Sequence, residues 1–446
     1  MKKNVLILLL LGLLIPGTRV MAQETPSSVT LTLQQAVDYA LKHSRDIESA
    51  KYDVDISEKT VWETIASGLP HVNGSASLDD NLKLMTTLIP AEMFGGPAGT
   101  YIPVTFGSKY NSSYGATATT SIFNATYLIG IQTAKLASKI SETQLKRTEL
   151  DVKQNVMSTY YMILVSKELL KVLNANLANM NEILESTKAS VRVGMAEATD
   201  ADQMASNISF LENSVLAMGR TLEYDYNLMR LQLGLAPGTE FVMTDSIESI
   251  VSSINVDQLL ASEFRLENNL DYQLLENSVK MSELGLKSAK ASTLPSLSGS
   301  VYYLQTGQGN KLGSMEWYPY SVAGLQLSVP IFGFGERNSK IQKARLSLMK
   351  SQNEKESVSE TLTISEKQVR FNLINTTEQF KSQKNNIEIA GRILLSVQNK
   401  FKQGMVSSLD LTQANDNYLS AQSAYFTALQ NLLMSKLAYD KLLNQL

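Results

Sequence analysis

The sequence GMAEATDADQMASN at residues 194–207 recurs 210 residues later as GMVSSLDLTQANDN at residues 404–417. Glycine, methionine, aspartate, glutamine and asparagine stand at equivalent positions in the two copies. Two further pairs of segments precede these copies, in the same order in each half of the chain: ASGLP at 66–70 with ASTLP at 291–295, and SIFN at 121–124 with PIFG at 330–333. The sequence therefore predicts a chain built from two structural repeats.

The first 22 residues differ in character from the rest. Lys2 and Lys3 precede an apolar run at 5–15, and a small-residue cleavage site ends at Ala22. This pattern is typical of a secretory signal peptide. The run is too short for a transmembrane helix, which needs roughly 18 apolar residues. We expect a signal peptide at 1–22, a first repeat at 23–245 and a second repeat at 246–446.

Each predicted repeat has the same plan: a helix, a β-hairpin and a long helical hairpin. The first contains a helix over 33–66 with an interruption near Ser44, a β-hairpin over about 70–123 and a helical hairpin over 126–235. The second contains a helix over 270–291, a β-hairpin over about 295–332 and a helical hairpin over 336–443. An insert in the first β-hairpin, around 90–103, has the composition of a loop.

The longest predicted helices, 126–193 and 336–403, contain no proline. At 1.5 Å per residue each is about 100 Å long, which exceeds the size of an ordinary globular core. Apolar residues of the second helix in each hairpin follow 3-4-3-4 spacing: Ile208, Leu211, Val215, Met218 and Leu222, then Tyr418, Ala421, Tyr425, Ala428 and Leu432. This spacing predicts a long coiled coil or an extended tube.

The predicted strands alternate between apolar and polar residues. Val72, Ala76 and Leu78, continuing to Leu84, share one face, and the positions between them are mostly polar. A second alternating segment covers 317–331. The length of this alternation, with aromatic residues near the strand ends, is typical of membrane-spanning strands, although two soluble hairpins would also fit. Four strands cannot close a membrane barrel, so several chains must combine: two would supply eight strands and three would supply twelve.

Composition argues against several classes of function. The chain has no cysteine, two histidines, His43 and His71, and a formal net charge of −3. A thiolate metal site, a cysteine nucleophile and nucleic-acid binding are therefore not expected. No phosphate-binding loop, zinc-protease or serine-hydrolase motif is present. GFGERN at 333–338 lacks the third glycine of a dinucleotide fingerprint. We expect no cofactor, no metal and no enzymatic activity.

The sequence resembles the TolC-like outer-membrane efflux proteins over essentially its whole mature length. The resemblance rests on LQQAV at 33–37, Leu69-Pro70, Leu294-Pro295, PIFGFG at 330–335 and the segment 404–410. It implies a mixed α/β membrane protein in which four transmembrane strands per chain form a 12-stranded trimeric β-barrel, continued by a long α-helical coiled-coil barrel. It also implies a homotrimer in outer-membrane lipid, a periplasmic adaptor (membrane fusion) protein and an inner-membrane pump of RND or ABC type.

The points where the long helices reverse are the predicted functional sites. The resemblance implies a periplasmic gate there, with candidates Asp200, Asp202, Asp410, Gln203 and Gln413. Family members carry a second acidic residue where Gln413 stands, so a double acidic ring is not implied here. Some members carry an arginine where Val406 stands, so their gate-locking contacts are not implied either. Thr199-x-x-Asp202 and Ser407-x-x-Asp410 also fit helix-capping boxes, and capping remains an alternative role. Gly194, Met195, Gly404 and Met405 mark the turns where an adaptor would dock.

The first hypothesis is a trimeric exit duct in the outer membrane of a Gram-negative bacterium, with its helices in the periplasm, serving efflux or type I-like secretion. An alternative is an extended coiled-coil structural or adhesive envelope protein without channel activity. A third possibility, an envelope hydrolase, lacks a recognisable catalytic constellation. The cargo, the cognate pump and the resting state of the gate are left open by the sequence.

Overall fold

The computed structural model describes residues 29–446. The predicted signal peptide at 1–22 lies outside the described residues. In chain order the elements are β1 (Val29–Leu31), α1 (Leu33–His43), α2 (Arg45–Ala66), β2 (His71–Asp80), β3 (Thr86–Pro90), β4 (Tyr101–Thr105), β5 (Tyr110–Phe123), α3 (Ala125–Arg192), α4 (Ala198–Gln232), β6 (Phe241–Met243), α5 (Ile247–Ser252), α6 (Val256–Leu260), α7 (Leu270–Ala291), β7 (Ser296–Gly309), β8 (Glu316–Ser328), α8 (Glu336–Lys402) and α9 (Ser408–Leu442).

Side chains at the helix starts explain where several helices begin. The Thr32 hydroxyl accepts a hydrogen bond from the Gln35 N–H, and the Gln35 side chain accepts one from the Thr32 N–H. This capping box begins α1, and α1 and α2 meet at Ser44. Asn124 caps α3 and Asn269 caps α7 by a simpler arrangement, in which one side-chain oxygen accepts two backbone N–H groups. Each such cap contributes about 1 kcal/mol.

The two long helices have the predicted extent. The helix α3 contains 68 residues and α8 contains 67. Within residues 29–446 every helix is either too polar or too short to be a transmembrane span.

Four antiparallel strands form the main sheet, in the order β2-β5-β7-β8. Two predicted strand ends were wrong. The strand β2 ends at Asp80, so Leu82 and Leu84 lie beyond it, and β8 ends at Ser328 rather than at 331. Pro330 lacks a backbone N–H, which prevents regular pairing past that point.

The insert in the first hairpin was predicted as a loop, and this was wrong in part. It contains a second small sheet, in which β3 and β4 pair from Thr86↔Thr105 to Pro90↔Tyr101. Pro90 and Pro103 led to the loop prediction. Because this sheet has only two strands, both are edge strands, where proline is tolerated.

The largest hydrophobic core surrounds the middle of α3. Tyr160 is fully buried there, among residues of α1, α4 and α9 and of the parallel pair β1–β6. Its hydroxyl donates to the Asp245 carboxylate at 2.8 Å, and the Leu33 N–H donates to the same oxygen at 2.6 Å. Burial, followed by the hydrogen bond to Asp245, raises the pKa of Tyr160. This core therefore fixes the N-terminal segment and the connection between the repeats on the long helix.

A second core lies nearer the helix tips. It joins Met180, Ile183 and Leu184 of α3 to Met204, Ile208 and Leu211 of α4, and also includes Leu394 of α8 with Leu411 and Ala414 of α9. Of the predicted seam positions, Ile208, Leu211, Ala428 and Leu432 are buried, and the others are half-buried.

Candidate functional site

The register of the main sheet separates its side chains into two faces. One cross-strand row joins Val72, Ala118, Val301 and Ala323. The same face, called the apolar face below, also carries Ala76, Leu78, Tyr114, Ala116, Tyr303, Trp317, Leu325 and Leu327. Val72, Leu78, Val301, Leu325 and Leu327 are all more than half exposed. A broad apolar surface of this kind suits contact with lipid hydrocarbon.

The opposite face, called the polar face below, carries mainly hydroxyl, amide and carboxylate groups. Its outermost row consists of Asp79, Asn111, Gln308 and Glu316. The next row consists of Ser77, Ser113, Thr306 and Tyr318. Tyr302, Leu304, Tyr320 and Val322 are the larger, less polar members of this face. A face with these groups suits contact with water.

Both edges of the main sheet are open. Within the described residues, no strand pairs with the outer side of β2 or of β8. Unpaired backbone N–H and C=O groups cost several kcal/mol each in hydrocarbon. The apolar face and the open edges together indicate a sheet that is completed by another chain.

The two helical tips share one backbone geometry. Gly194 and Gly404 adopt φ of 74° and 72°, a left-handed conformation that favours glycine. In each turn the N–H of the following methionine donates at 2.9 Å to a carbonyl five residues earlier, from Met195 to Ser190 and from Met405 to Lys400. These are Schellman turns, which end α3 and α8 and reverse the chain.

The cap of the second tip matches the sequence prediction. The Ser407 hydroxyl accepts from the Asp410 N–H at 3.1 Å, and the Asp410 carboxylate accepts from the Ser407 N–H at 3.0 Å. The Ser407 hydroxyl also donates to the Asp410 carboxylate, at 2.7 Å. This bond, followed by the one from the Ser407 N–H, lowers the pKa of Asp410, because each stabilises the charged carboxylate. Asp410 is exposed and serves as a cap in its own turn.

The cap of the first tip was predicted wrongly. The helix α4 is capped by Glu197, whose N–H donates to the Asp200 carboxylate at 3.2 Å, and not by Thr199 with Asp202. The sequence carried a signal for this arrangement. The repeat offset of 210 residues aligns Glu197 with Ser407 and Asp200 with Asp410.

Asp200 also connects the two tips. The Ser408 hydroxyl, at the start of α9, donates a hydrogen bond to the free oxygen of the Asp200 carboxylate at the start of α4. Sequence reasoning selected Asp200 and missed Ser408, because the two residues are 208 positions apart. This contact joins the helical hairpin of the first repeat to that of the second.

The remaining candidates lie two or three residues further along the helices. The Gln203 side chain donates to Asn207 at 3.3 Å, and the Gln413 side chain donates to Asn417 at 3.1 Å. Asp202 is exposed. The structure therefore brings Asp200 into contact with the hairpin of the second repeat. The side-chain hydrogen bonds of Gln203, Gln413 and Asp410 join residues of the same hairpin.

The turns themselves present apolar side chains. Val193 and Met195 at the first tip are exposed, as are Met405 and Leu409 at the second. Exposed apolar groups clustered at a helical end mark a surface for a protein partner.

Comparison with known families shows which kind of protein carries these features. The sequence model described as "Outer membrane efflux protein" matches residues 36–220 and 263–445. The chain belongs to this family. The two matched segments cover most of both predicted repeats, and the resemblance seen in the sequence is confirmed. As an outer membrane efflux protein the chain is an exit duct of the outer membrane with a periplasmic helical domain, and not an enzyme.

Solved structures show the same fold. The chain is similar to CusC, with a TM-score of 0.72 and 15% identity over 92% of this chain and 91% of that chain. It is similar to the Campylobacter jejuni CmeC outer membrane channel, with a TM-score of 0.71 and 18% identity over 96% and 90%. The open state of the Neisseria gonorrhoeae MtrE outer membrane channel gives a TM-score of 0.72 and 16% identity over 92% and 88%. No curated protein sequence matches the chain significantly.

Proposed function

We propose that three copies of this outer membrane efflux protein form one duct, with a 12-stranded β-barrel in the membrane and a coiled-coil helical barrel in the periplasm. The observation that carries the proposal is the main sheet, with one apolar face, one polar face and two open edges. Pairing β2 of each chain with β8 of the next satisfies every edge. The apolar face then contacts lipid and the polar face lines the lumen.

Three chains fit a duct better than two. Two chains would supply eight strands, and the interior of an eight-stranded barrel is just wide enough to be filled by its own side chains. Twelve strands leave room for water and solute. The repeats at 23–245 and 246–446 would then occupy alternating positions around the wall, after removal of a signal peptide at 1–22.

The helical tips are the proposed periplasmic gate. In the described conformation the Asp200–Ser408 contact holds the two hairpins of a chain together. The candidates Asp202, Gln203, Asp410 and Gln413 all lie within about the first two turns of α4 and α9, at the same end. A trimer repeats each carboxylate three times, which would favour cations over anions at a narrow mouth.

The partners follow from the family and from the exposed tips. A periplasmic adaptor would dock on the apolar residues around Met195 and Met405, and an inner-membrane pump of RND or ABC type would supply the energy. Opening requires the adaptor to bind the separated hairpins more tightly than the joined ones. The chain itself is a passive conduit.

Purification in detergent tests the assembly. We expect native mass spectrometry to give three chains per particle, and planar bilayers to show stepwise ion conductance after reconstitution. A chain that is monomeric, folded and soluble without detergent would contradict the proposal.

A further inference from the structure

One loop of the membrane sheet is much longer than its counterpart in the other repeat. The segment 81–109 joins β2 to β5 and is called the outer arm below, whereas 310–315 joins β7 to β8 and is called the short turn. The outer arm is ordered by its own contacts. Its strands β3 and β4 pair with each other, and the Gly99 N–H donates to the Glu92 carboxylate at 2.7 Å.

The base of the outer arm is apolar and uncovered. Leu82 is 89% exposed, Met85 is 74% exposed and Phe106 is 54% exposed. The arm contains three charged residues, Lys83, Glu92 and Lys109. An exposed apolar surface of this kind in water marks a protein interface.

The position of the outer arm places it in water rather than in hydrocarbon. The ten residues of β2 already match the nine to eleven that a tilted strand needs to cross a membrane. Asp79 and Asp80 end that strand, and Lys109 lies where the arm returns to β5. The apolar base of the arm therefore lies beyond a charged boundary, where lipid tails do not cover it.

The topology of the proposed trimer identifies what covers this base. The strand β2 leads to the outer end of the sheet at Asp80, and β8 starts from that same end at Glu316. These two strands are the open edges that meet between neighbouring chains. Each outer arm therefore leaves the sheet beside the short turn of the next chain. It returns to β5 beside the short turn of its own chain, where the Lys109 N–H donates to the Asn310 side chain at 3.1 Å. That turn leaves the base of the arm exposed, so the turn of the next chain is the one available to cover it. That turn presents Leu312, which is 57% exposed within its own chain.

We infer that the outer arm of each chain packs its apolar base, at Leu82, Met85 and Phe106, on the short turn of the neighbouring copy around Leu312. The inference rests on the proposed trimer and adds a contact to it. Each chain has one outer arm and one short turn, so a trimer has one such contact at each of its three junctions. The contact fastens the outer end of each junction with side chains, in addition to backbone pairing.

Cross-linking tests the contact directly, because the natural chain contains no cysteine. The variant with Met85→Cys and Leu312→Cys, treated in detergent with a short bismaleimide, should give a covalent trimer on a denaturing gel. The control pair, Met93→Cys with Leu312→Cys, should remain monomeric, because Met93 is equally exposed at 75% but lies at the far end of the arm. Cross-linking by the control pair alone, or by neither pair, would overturn the inference.

A stability measurement provides the second test. Met85→Ser should lower the temperature at which the trimer dissociates in SDS by several degrees, and Met93→Ser should leave it unchanged. Equal dissociation temperatures for Met85→Ser and the natural chain would overturn the inference. Native mass spectrometry of the same samples separates the two proposals. Trimers that show neither the cross-link nor the change in dissociation temperature contradict this inference alone, whereas monomers contradict the trimer itself.

Discussion

Removing the Ser408 hydroxyl is the sharpest test of the proposed gate. Ser408→Ala deletes the donor to Asp200 and leaves the cap formed by Ser407 and Asp410 in place. Alanine fits this position, because the repeat offset aligns Ser408 with Ala198, which begins α4 in the first repeat. The variant should therefore fold and assemble normally.

The size of the effect follows from the contact. A hydrogen bond to a charged group contributes about 1.5–3 kcal/mol when it is well shielded, and about 1 kcal/mol is reasonable for this half-exposed pair. Three chains that open together would lose about 3 kcal/mol of closed-state stability. Since each 1.4 kcal/mol is a factor of ten, the ratio of open to closed channels should rise about 100-fold.

Single-channel recording in planar bilayers measures this ratio. Ser408→Ala should increase the open probability, and Ser420→Ala, at an exposed serine of the same helix, should not. Asp200→Asn on the Ser408→Ala background should add little further opening, because the pair is already broken. Intact Ser408→Ala trimers with the natural open probability would refute the assignment of this contact as a latch.

Three further predictions concern the tip, the lumen and the core. Gly404→Ala should lower the free energy of unfolding by about 1 kcal/mol or more, because φ is positive at this residue. The control Gly219→Ala, within α4, should be neutral or stabilising. Thermal unfolding monitored by circular dichroism measures both changes. Asp79→Asn should reduce the cation-to-anion permeability ratio about twofold at low salt, because its carboxylate lies on the polar face. The control Asp80→Asn, on the apolar face, should leave the ratio unchanged. Reversal potentials in a salt gradient measure the ratio, and equal values for the two variants would contradict the prediction. Burial raises the pKa of Asp225, so its carboxylate destabilises the fold at neutral pH and this cost disappears as the pH falls through the raised pKa. Asp225→Asn should therefore stabilise the fold at pH 7, and the difference from the natural chain should shrink as the pH falls. Thermal unfolding across pH measures this, and a difference that stays constant with pH would exclude the account.

The 210-residue offset between the repeats is visible in the sequence. One tip was predicted correctly from local residues, and the other was not. Gly404 and the Ser407–Asp410 box predicted a turn and a cap correctly, since both depend on a few adjacent residues. The same offset would have shown that Glu197 caps the first tip. The pattern search selected Thr199 instead, because glutamate is a less typical capping residue.

Sequence alone determined the long helices, the alternation of the strands and the presence of repeats, because these features depend on local periodicity and on short-range hydrogen bonds. Only the tertiary structure decided which strands pair, that the proline-containing insert forms β3 and β4, and that Asp200 meets Ser408. These contacts join residues that are separated along the chain, by as many as 208 positions for Asp200 and Ser408, and their geometry depends on how distant segments pack together. Local patterns do not record that packing, so they do not predict the contacts.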